Sequence, residues 1–224
     1  LAAMGVLDIR AFGVIGPDPF GAEMKNIMEK TGISTRNLIV QGDNWSTHVY
    51  SKPYIADVEQ NRIDFGNFNK LTEATADILV ENLEREVPEV NLIIINQQVL
   101  SGIHTEYFRK KLVSLINKFP EKIFIADSRN YGDFYDGAYR KMNDKEAARL
   151  CGFKKDHDEI VLRSEAVEAA KILFKKYQKP LFITRGSRGS IMIDETGISE
   201  IFGLMILSRI DSVGAGDSFL AGVA

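Results

Sequence analysis

The 224-residue chain is 45% hydrophobic and 26% charged, enough apolar sequence for one domain with a large core. Its net charge of −3, without a basic block, offers no footing for nucleic acid or an anionic membrane surface, and no apolar run reaches membrane-span length. The single cysteine, Cys151, excludes an internal disulfide; it reads as a small buried apolar residue and fits a reducing, cytoplasmic compartment.

The start, Leu1-Ala2-Ala3-Met4-Gly5, has the look of a helix end, and Ala224 stops inside a helical pattern without a cap. The chain therefore reads as an internal piece of a longer protein. Phe12-Gly13-Val14-Ile15 predicts a short strand, and Gly16-Pro17-Asp18-Pro19-Phe20-Gly21 a turn with strong breakers. A helix follows with Met24, Ile27 and Met28 on one face, closed by Gly32. The turn needs no function, and Asp18 is given none. From Leu38 to Phe68 the character changes: Thr47, Val49, Tyr50, Tyr54 and Ile55 favour strands, and turns fall at Gly42-Asp43-Asn44 and from Ala56 to Asn61. This predicts a small β-rich insert, about residues 39–68, apart from the main layer. Trp45 and His48 within it could meet a ligand or simply pack. His48, His104 and His157 stand alone, and no His/Cys spacing indicates zinc.

Then the alternation becomes regular. Helical periodicity at Leu71, Ala74, Ile78, Leu79 and Leu83 leads to the apolar run Leu92-Ile93-Ile94-Ile95. A helix through Tyr107, Phe108, Leu112, Leu115 and Ile116 leads to Ile123-Phe124-Ile125-Ala126, and one through Ala166, Ala169, Leu173 and Tyr177 leads to Leu181-Phe182-Ile183-Thr184. Short continuous apolar strands between amphipathic helices predict an α/β fold with a mostly parallel sheet covered on both faces. Ligands bind such sheets at the carboxyl ends of the strands. Three polar groups fall there: Asn96-Gln97-Gln98, Asp127-Ser128-Arg129-Asn130 and Thr184-Arg185-Gly186-Ser187-Arg188-Gly189. Arg129 could hold a phosphate or be a solvated loop charge. Lys141-Met142-Asn143-Asp144-Lys145-Glu146-Ala147 carries an N-cap pattern, Asn143 with Glu146 three residues on.

The last stretch is the most informative. Leu204 to Ile210 is apolar; Asp211-Ser212-Val213-Gly214-Ala215-Gly216-Asp217-Ser218-Phe219 then reads as a glycine turn running into a helix from Asp217. Such a junction presents free backbone N–H groups and a positive dipole end, which suit an anion. A carboxylate at an anion site makes sense if it takes a proton from a hydroxyl while the N–H groups hold a transferring phosphoryl. The plainer reading is that Asp217 caps the helix and the glycines only make the turn.

This stretch resembles the C-terminal signature of the ribokinase family, the phosphofructokinase-B-like carbohydrate kinases, with Ser212 in place of the usual Thr. The resemblance extends to the Gly16–Gly21 turn, where Pro17 departs from an Asp, to the 39–68 insert as a lid, to Asn143-x-x-Glu146, and to Thr184-x-Gly186-x-x-Gly189. It implies a three-layer α/β/α fold with a mostly parallel sheet and a small β lid, the domain's N- and C-terminal parts lying outside this chain. It implies an ATP-dependent phosphotransferase acting on a sugar or sugar phosphate. Asp217 would be the general base, and the N–H groups of Gly214, Ala215 and Gly216 the anion hole. Asn143, Thr184, Arg185, Gly186 and Gly189 would lie by the nucleotide, with Arg188 a second source of positive charge. Glu146 would orient water on Mg²⁺. Asp211 with the Val213 carbonyl matches a monovalent-cation site, such as one for K⁺, of some members. A homodimer through the lid is also implied. Gln60-Asn61-Arg62-Ile63-Asp64 looks more like the sugar and heptose kinases than the nucleoside kinases.

Two other readings compete. A dinucleotide-binding oxidoreductase fails because Phe219 stands where the third glycine is required, and no Gly-x-x-x-x-Gly-Lys-Ser/Thr supports a P-loop enzyme. A non-catalytic sugar- or nucleotide-sensing member of the same fold remains, since fold does not fix function; retention of Asp217 argues against it.

Overall fold

Strands rich in β-branched residues make the frame. In a computed structural model of the protein, which describes residues 1–156, 158–205 and 213–224, Ile9–Ile15 (β1) pairs in parallel with Ile33–Val40 (β2) across the helix Pro19–Lys30 (α1). β1 begins earlier than the apolar run suggests. β2 is not apparent in the sequence because its inward positions include Thr35 and Asn37, both buried. The turn between β1 and α1 is a backbone knot. Asp18 is the N-cap: one carboxylate oxygen accepts the Gly21 N–H at 2.8 Å and the other the Thr47 N–H at 2.8 Å. Burial works to raise the Asp18 carboxyl, but these donors, the Thr47 hydroxyl and the Phe20 N–H hold it below the ordinary aspartate range. A Cβ on Gly16 would lie 2.2 Å from the Asp18 carboxylate, and one on Gly21 2.6 Å from the Gly16 carbonyl, so only glycine fits either place.

Beyond β2 the small insert consists of two short antiparallel pairs, Val49–Ser51 (β3) with Ile63–Phe65 (β6), and Tyr54–Ile55 (β4) with Val58–Glu59 (β5). Ala56 and Asp57 turn the second hairpin at φ of 48° and 64°. The helix Glu73–Glu86 (α2) starts on a Thr72 cap and buries Ala76, Leu79 and Leu83. Glu86 at its end pairs with Arg10 of β1 and Arg36 of β2. These elements belong to one compact unit, Leu1–Glu89 with Val99–Leu112; the other is Val90–Gln98 with Val113–Ala224.

The second unit holds a six-stranded sheet in the order β12-β11-β10-β9-β8-β7. Leu92–Gln97 (β7), Ile123–Ser128 (β8), Tyr139–Asn143 (β9) and Leu181–Thr184 (β10) run parallel, and Ser190–Asp194 (β11) and Gly197–Ile201 (β12) close one edge antiparallel. The helix Glu106–Lys118 (α3) precedes β8; Asp144–Leu150 (α4) and Arg163–Tyr177 (α5) lie between β9 and β10. Ala166, Ala169, Ala170 and Leu173 of α5 join Leu181, Ile183 and Ile191 in a fully buried core. Small residues on that face let helix and sheet approach closely, and burial stabilises by about 25 cal/mol per Å² of apolar surface. Cys151, at the end of α4, is half-buried beside this core, and burial pushes its thiol up.

β9, like β2, is hidden in the sequence, because Arg140 and Lys141 occupy buried positions in it. Arg140 donates to the carbonyls of Gly132, Ala138 and Tyr135 at 2.9 to 3.0 Å and stacks on Tyr177, 3.6 Å from the ring centre. Burial pulls its pKa down, opposed by Tyr177, Asp136 and Asp133. The chain ends in Ala215–Val223 (α6), which starts two residues before Asp217. No helix among the described residues is long and apolar enough to cross a membrane.

Candidate functional site

The parallel strands bring the predicted polar groups to one edge of one sheet. Asn96 of β7 is level with Asp127 of β8, which is level with Lys141 of β9; two residues on, Asn143 of β9 is level with Thr184 of β10. Side chains two apart along a strand share a face, so Lys141 and Asn143 project the same way.

Gln97, at the end of β7, is buried and organises the loop after β8. It accepts from the Ser128 hydroxyl at 2.8 Å and the Asn130 backbone N–H at 3.0 Å, and donates to the Asn130 side-chain oxygen Oδ1 at 3.1 Å. Its polarity thus serves the loop. Arg129 is exposed on that loop, and its backbone carbonyl accepts from Arg149.

Asn143 caps α4 in a full capping box. Its side chain accepts the Glu146 N–H, and Glu146 accepts the Asn143 N–H, each at 2.8 Å. Burial is the largest influence on Glu146 and pushes its carboxyl above the ordinary glutamate range; the Asp127 charge adds to this, while the Asn143 N–H, Lys141 and Arg149 oppose it. Beside it Lys141 Nζ donates to Asp127 Oδ2 at 2.7 Å, both side chains 9% exposed. No motif in the sequence assigns either residue a role. The signal available was their shared place at the ends of neighbouring strands, and it was lost with β9 itself. A cavity of about 50 Å³ opens here, lined by Ser128, Asn130, Lys141, Glu146 and Arg149 among others.

The turn after β10 is held from within. Arg185 donates its N–H to the Gly189 carbonyl at 2.8 Å, and its buried guanidinium pairs with Glu200 at 3.2 Å. Arg188 pairs with Asp144 at 2.8 Å and donates to the Val161 carbonyl at 2.7 Å. The charges of both arginines are thus met by protein carboxylates. Thr184 donates weakly to the Met142 carbonyl. Gly189 takes φ of 91°, with the Ile201 carbonyl 2.0 Å from where a Cβ would stand, whereas Gly186 has open space around it.

Gly214 caps α6 through its backbone at φ of 78°, without a side-chain cap, and Ala215, Gly216 and Asp217 make the first turn. The first N–H groups of a helix have no partner within it. Asp217 is exposed and does not cap the helix. The position of a Cβ on Gly216 lies 3.1 Å from Lys141 Nζ, so this turn abuts the end of β9. Asp211 and most of the Leu204–Ile210 run lie outside the described residues, as does His157.

In the first unit Trp45 is 5% exposed and donates to the Val14 carbonyl at 3.2 Å, so it packs. His48 stands edge-on to it, with Nε2 buried and unpartnered among the described residues. Burial lowers its pKa, favouring the neutral ring.

Comparison with known proteins gives concordant matches. The model of the pfkB family of carbohydrate kinases matches residues 1–224. The bifunctional protein HldE of Aliarcobacter butzleri is 25% identical over 217 residues, 96% of this chain and 44% of that protein. Ribokinase of Schizosaccharomyces pombe is 26% identical over 216 residues, 95% of this chain and 64% of its own length. The chain thus spans less than two thirds of these relatives. Among solved structures, ribokinase from Thermotoga maritima superimposes with a TM-score of 0.67 at 16% identity, over 94% of this chain and 65% of that one. An E. coli protein assigned as a ribokinase II, solved with ATP and Mg²⁺, gives 0.68 at 16% identity, over 97% and 69%. The fold is therefore ribokinase-like.

Proposed function

The chain belongs to the pfkB family of carbohydrate kinases, and on that premise we propose that it transfers the γ-phosphoryl of ATP to a hydroxyl of a sugar or sugar phosphate. The observation that carries this reading is a convergence on one sheet edge. Asn143 and Thr184 are level, Lys141 lies on the same face as Asn143, and the first turn of α6 abuts Lys141. The relatives named ribokinase and HldE support a sugar-type acceptor.

In this reading the Asp217 carboxylate takes the acceptor hydroxyl proton as the oxygen–phosphorus bond forms and the bond to the ADP leaving oxygen breaks. An exposed carboxylate in the first turn of a helix stays ionised readily beside the dipole, and its exposure leaves it open to an acceptor. The N–H groups of Gly214, Ala215 and Gly216 stabilise the charge that spreads over the transferring group. Asn143, Thr184 and the backbone of Arg185, Gly186 and Gly189 flank the nucleotide, and exposed Arg129 remains open to a phosphate. Glu146 keeps one carboxylate oxygen beyond the cap it makes, which suits Mg²⁺ held chiefly by phosphates and water with a single protein carboxylate nearby. When bound, that ion neutralises phosphate charge. Asp211 is proposed for a monovalent cation on resemblance alone. A second copy of the chain, met through the exposed apolar lid, is the protein partner proposed, and the cytoplasm its location.

ADP release by the full-length protein, with ATP and Mg²⁺ across sugars, sugar phosphates and nucleosides, tests this. Turnover with one sugar-type acceptor is expected. Nucleotide binding without turnover on any acceptor would favour a sensing role instead.

A further inference from the structure

Lys141 is the cation that β9 delivers to the first turn of α6, and no motif in the sequence assigns it a task. Its ammonium has three N–H donors. One goes to Asp127 Oδ2 at 2.7 Å, and Lys141 makes no second hydrogen bond among the described residues, although the Glu146 carboxylate lines the same small cavity. The pair is almost wholly withdrawn from water, at 9% exposure each, and Nζ lies 3.1 Å from the place of a Cβ on Gly216. Burying a charge pair is costly and is often no more stabilising than an apolar pair of the same volume. A lysine kept there at that cost, with donors left over and a glycine as its neighbour, is set to meet an anion that approaches the same turn.

We propose that Lys141 contacts the transferring phosphoryl group, and that Asp127 is the positioning residue that holds its ammonium against the α6 turn. This rests on the kinase reading above. Both a γ-phosphoryl and an acceptor's own phosphate present the same oxygens. The contact with Gly216, inside the proposed anion hole, assigns Lys141 to the γ-phosphoryl.

The test is calorimetric binding of ATP and of ADP to the full-length protein, beside steady-state kinetics, for wild type, Lys141→Met, Lys141→Arg and the doubly neutral Lys141→Met/Asp127→Asn. The double variant leaves no unpaired buried charge and guards against simple unfolding. Loss of one charge-assisted contact should weaken ATP about tenfold to a hundredfold while ADP changes little, in both Met variants. Lys141→Arg should restore part of the preference. Equal weakening of ATP and ADP, or an unchanged ratio with only a lower melting temperature, would make the pair structural and overturn the proposal. A raised acceptor KM with the ATP-over-ADP ratio intact would assign Lys141 to an acceptor phosphate and overturn it too. Wild-type protein that binds neither nucleotide would instead overturn the kinase reading on which the proposal stands.

Discussion

Glu146 serves two ends with one side chain, capping α4 and facing the cavity beside Lys141. Burial raises its folded-state pKa above the ordinary glutamate value of 4.5. A carboxyl shifted upward binds its proton more tightly in the fold, so its ionisation costs stability as pH rises through the raised range, and that cost disappears at lower pH. Asp18 has the opposite sign: its depressed pKa contributes stability above the ordinary aspartate value, lost as pH falls through the depressed one. Glu146→Gln keeps an acceptor for the cap and removes the charge. Its melting temperature should exceed that of wild type at neutral pH and converge with it as pH falls through the raised range to below the ordinary glutamate value. An advantage independent of pH would contradict the assigned cause. Gly16→Ala should cost about 1–3 kcal/mol in chemical denaturation, because the Asp18 cap must move to admit the methyl group. The Asn143–Glu146 box was legible as a three-residue spacing. The role of Asp18 was legible only as a breaker-rich turn, because its second partner, Thr47, lies 29 residues on.

At the scale of elements, continuous apolar runs marked β7, β8 and β10 and periodicity the helices between them, since those strands are buried or half-buried along most of their length and written in Ile, Leu and Phe. β9 and β2 escaped because their inward side chains are polar, Arg140 and Lys141 in β9 and Thr35 and Asn37 in β2. Arg140 replaces an apolar core residue by filling three carbonyls of the 132–138 loop. Arg140→Met would take a charged donor from each of those carbonyls, leaving Tyr135's only the Ala138 N–H, and Tyr177 without its stacked guanidinium, at a cost of about 3 kcal/mol or more in denaturant unfolding. A loss under about 1 kcal/mol would mean that the loop finds other donors. The two arginines of the turn after β10 teach the same lesson. The resemblance implies positive charge from them beside the nucleotide; in the fold Arg185 pairs with Glu200 of β12 and Arg188 with Asp144 at the start of α4, partners far along the chain.

At the scale of the whole molecule, the family was legible because its signature is long and contiguous, and the match over residues 1–224 agrees. The acceptor was not legible, since the lid and the sheet edge name a class of chemistry and no particular hydroxyl. The lid leaves Ile55 at 67% and Val58 at 61% exposed, apolar surface that a second copy would cover. The full-length protein should sediment as a dimer, and Ile55→Lys with Val58→Lys should raise its dissociation constant at least tenfold, by about 1.4 kcal/mol; a monomer in wild type would remove the lid interface. The most direct test of the phosphotransferase reading is acceptor-dependent ADP release by the full-length protein with Asp217→Asn beside wild type, ATP affinity being measured on both. Turnover should fall by about a hundredfold to ten-thousandfold in the variant while ATP affinity holds. An Asp217→Asn protein that keeps nearly full turnover would contradict the proposed base.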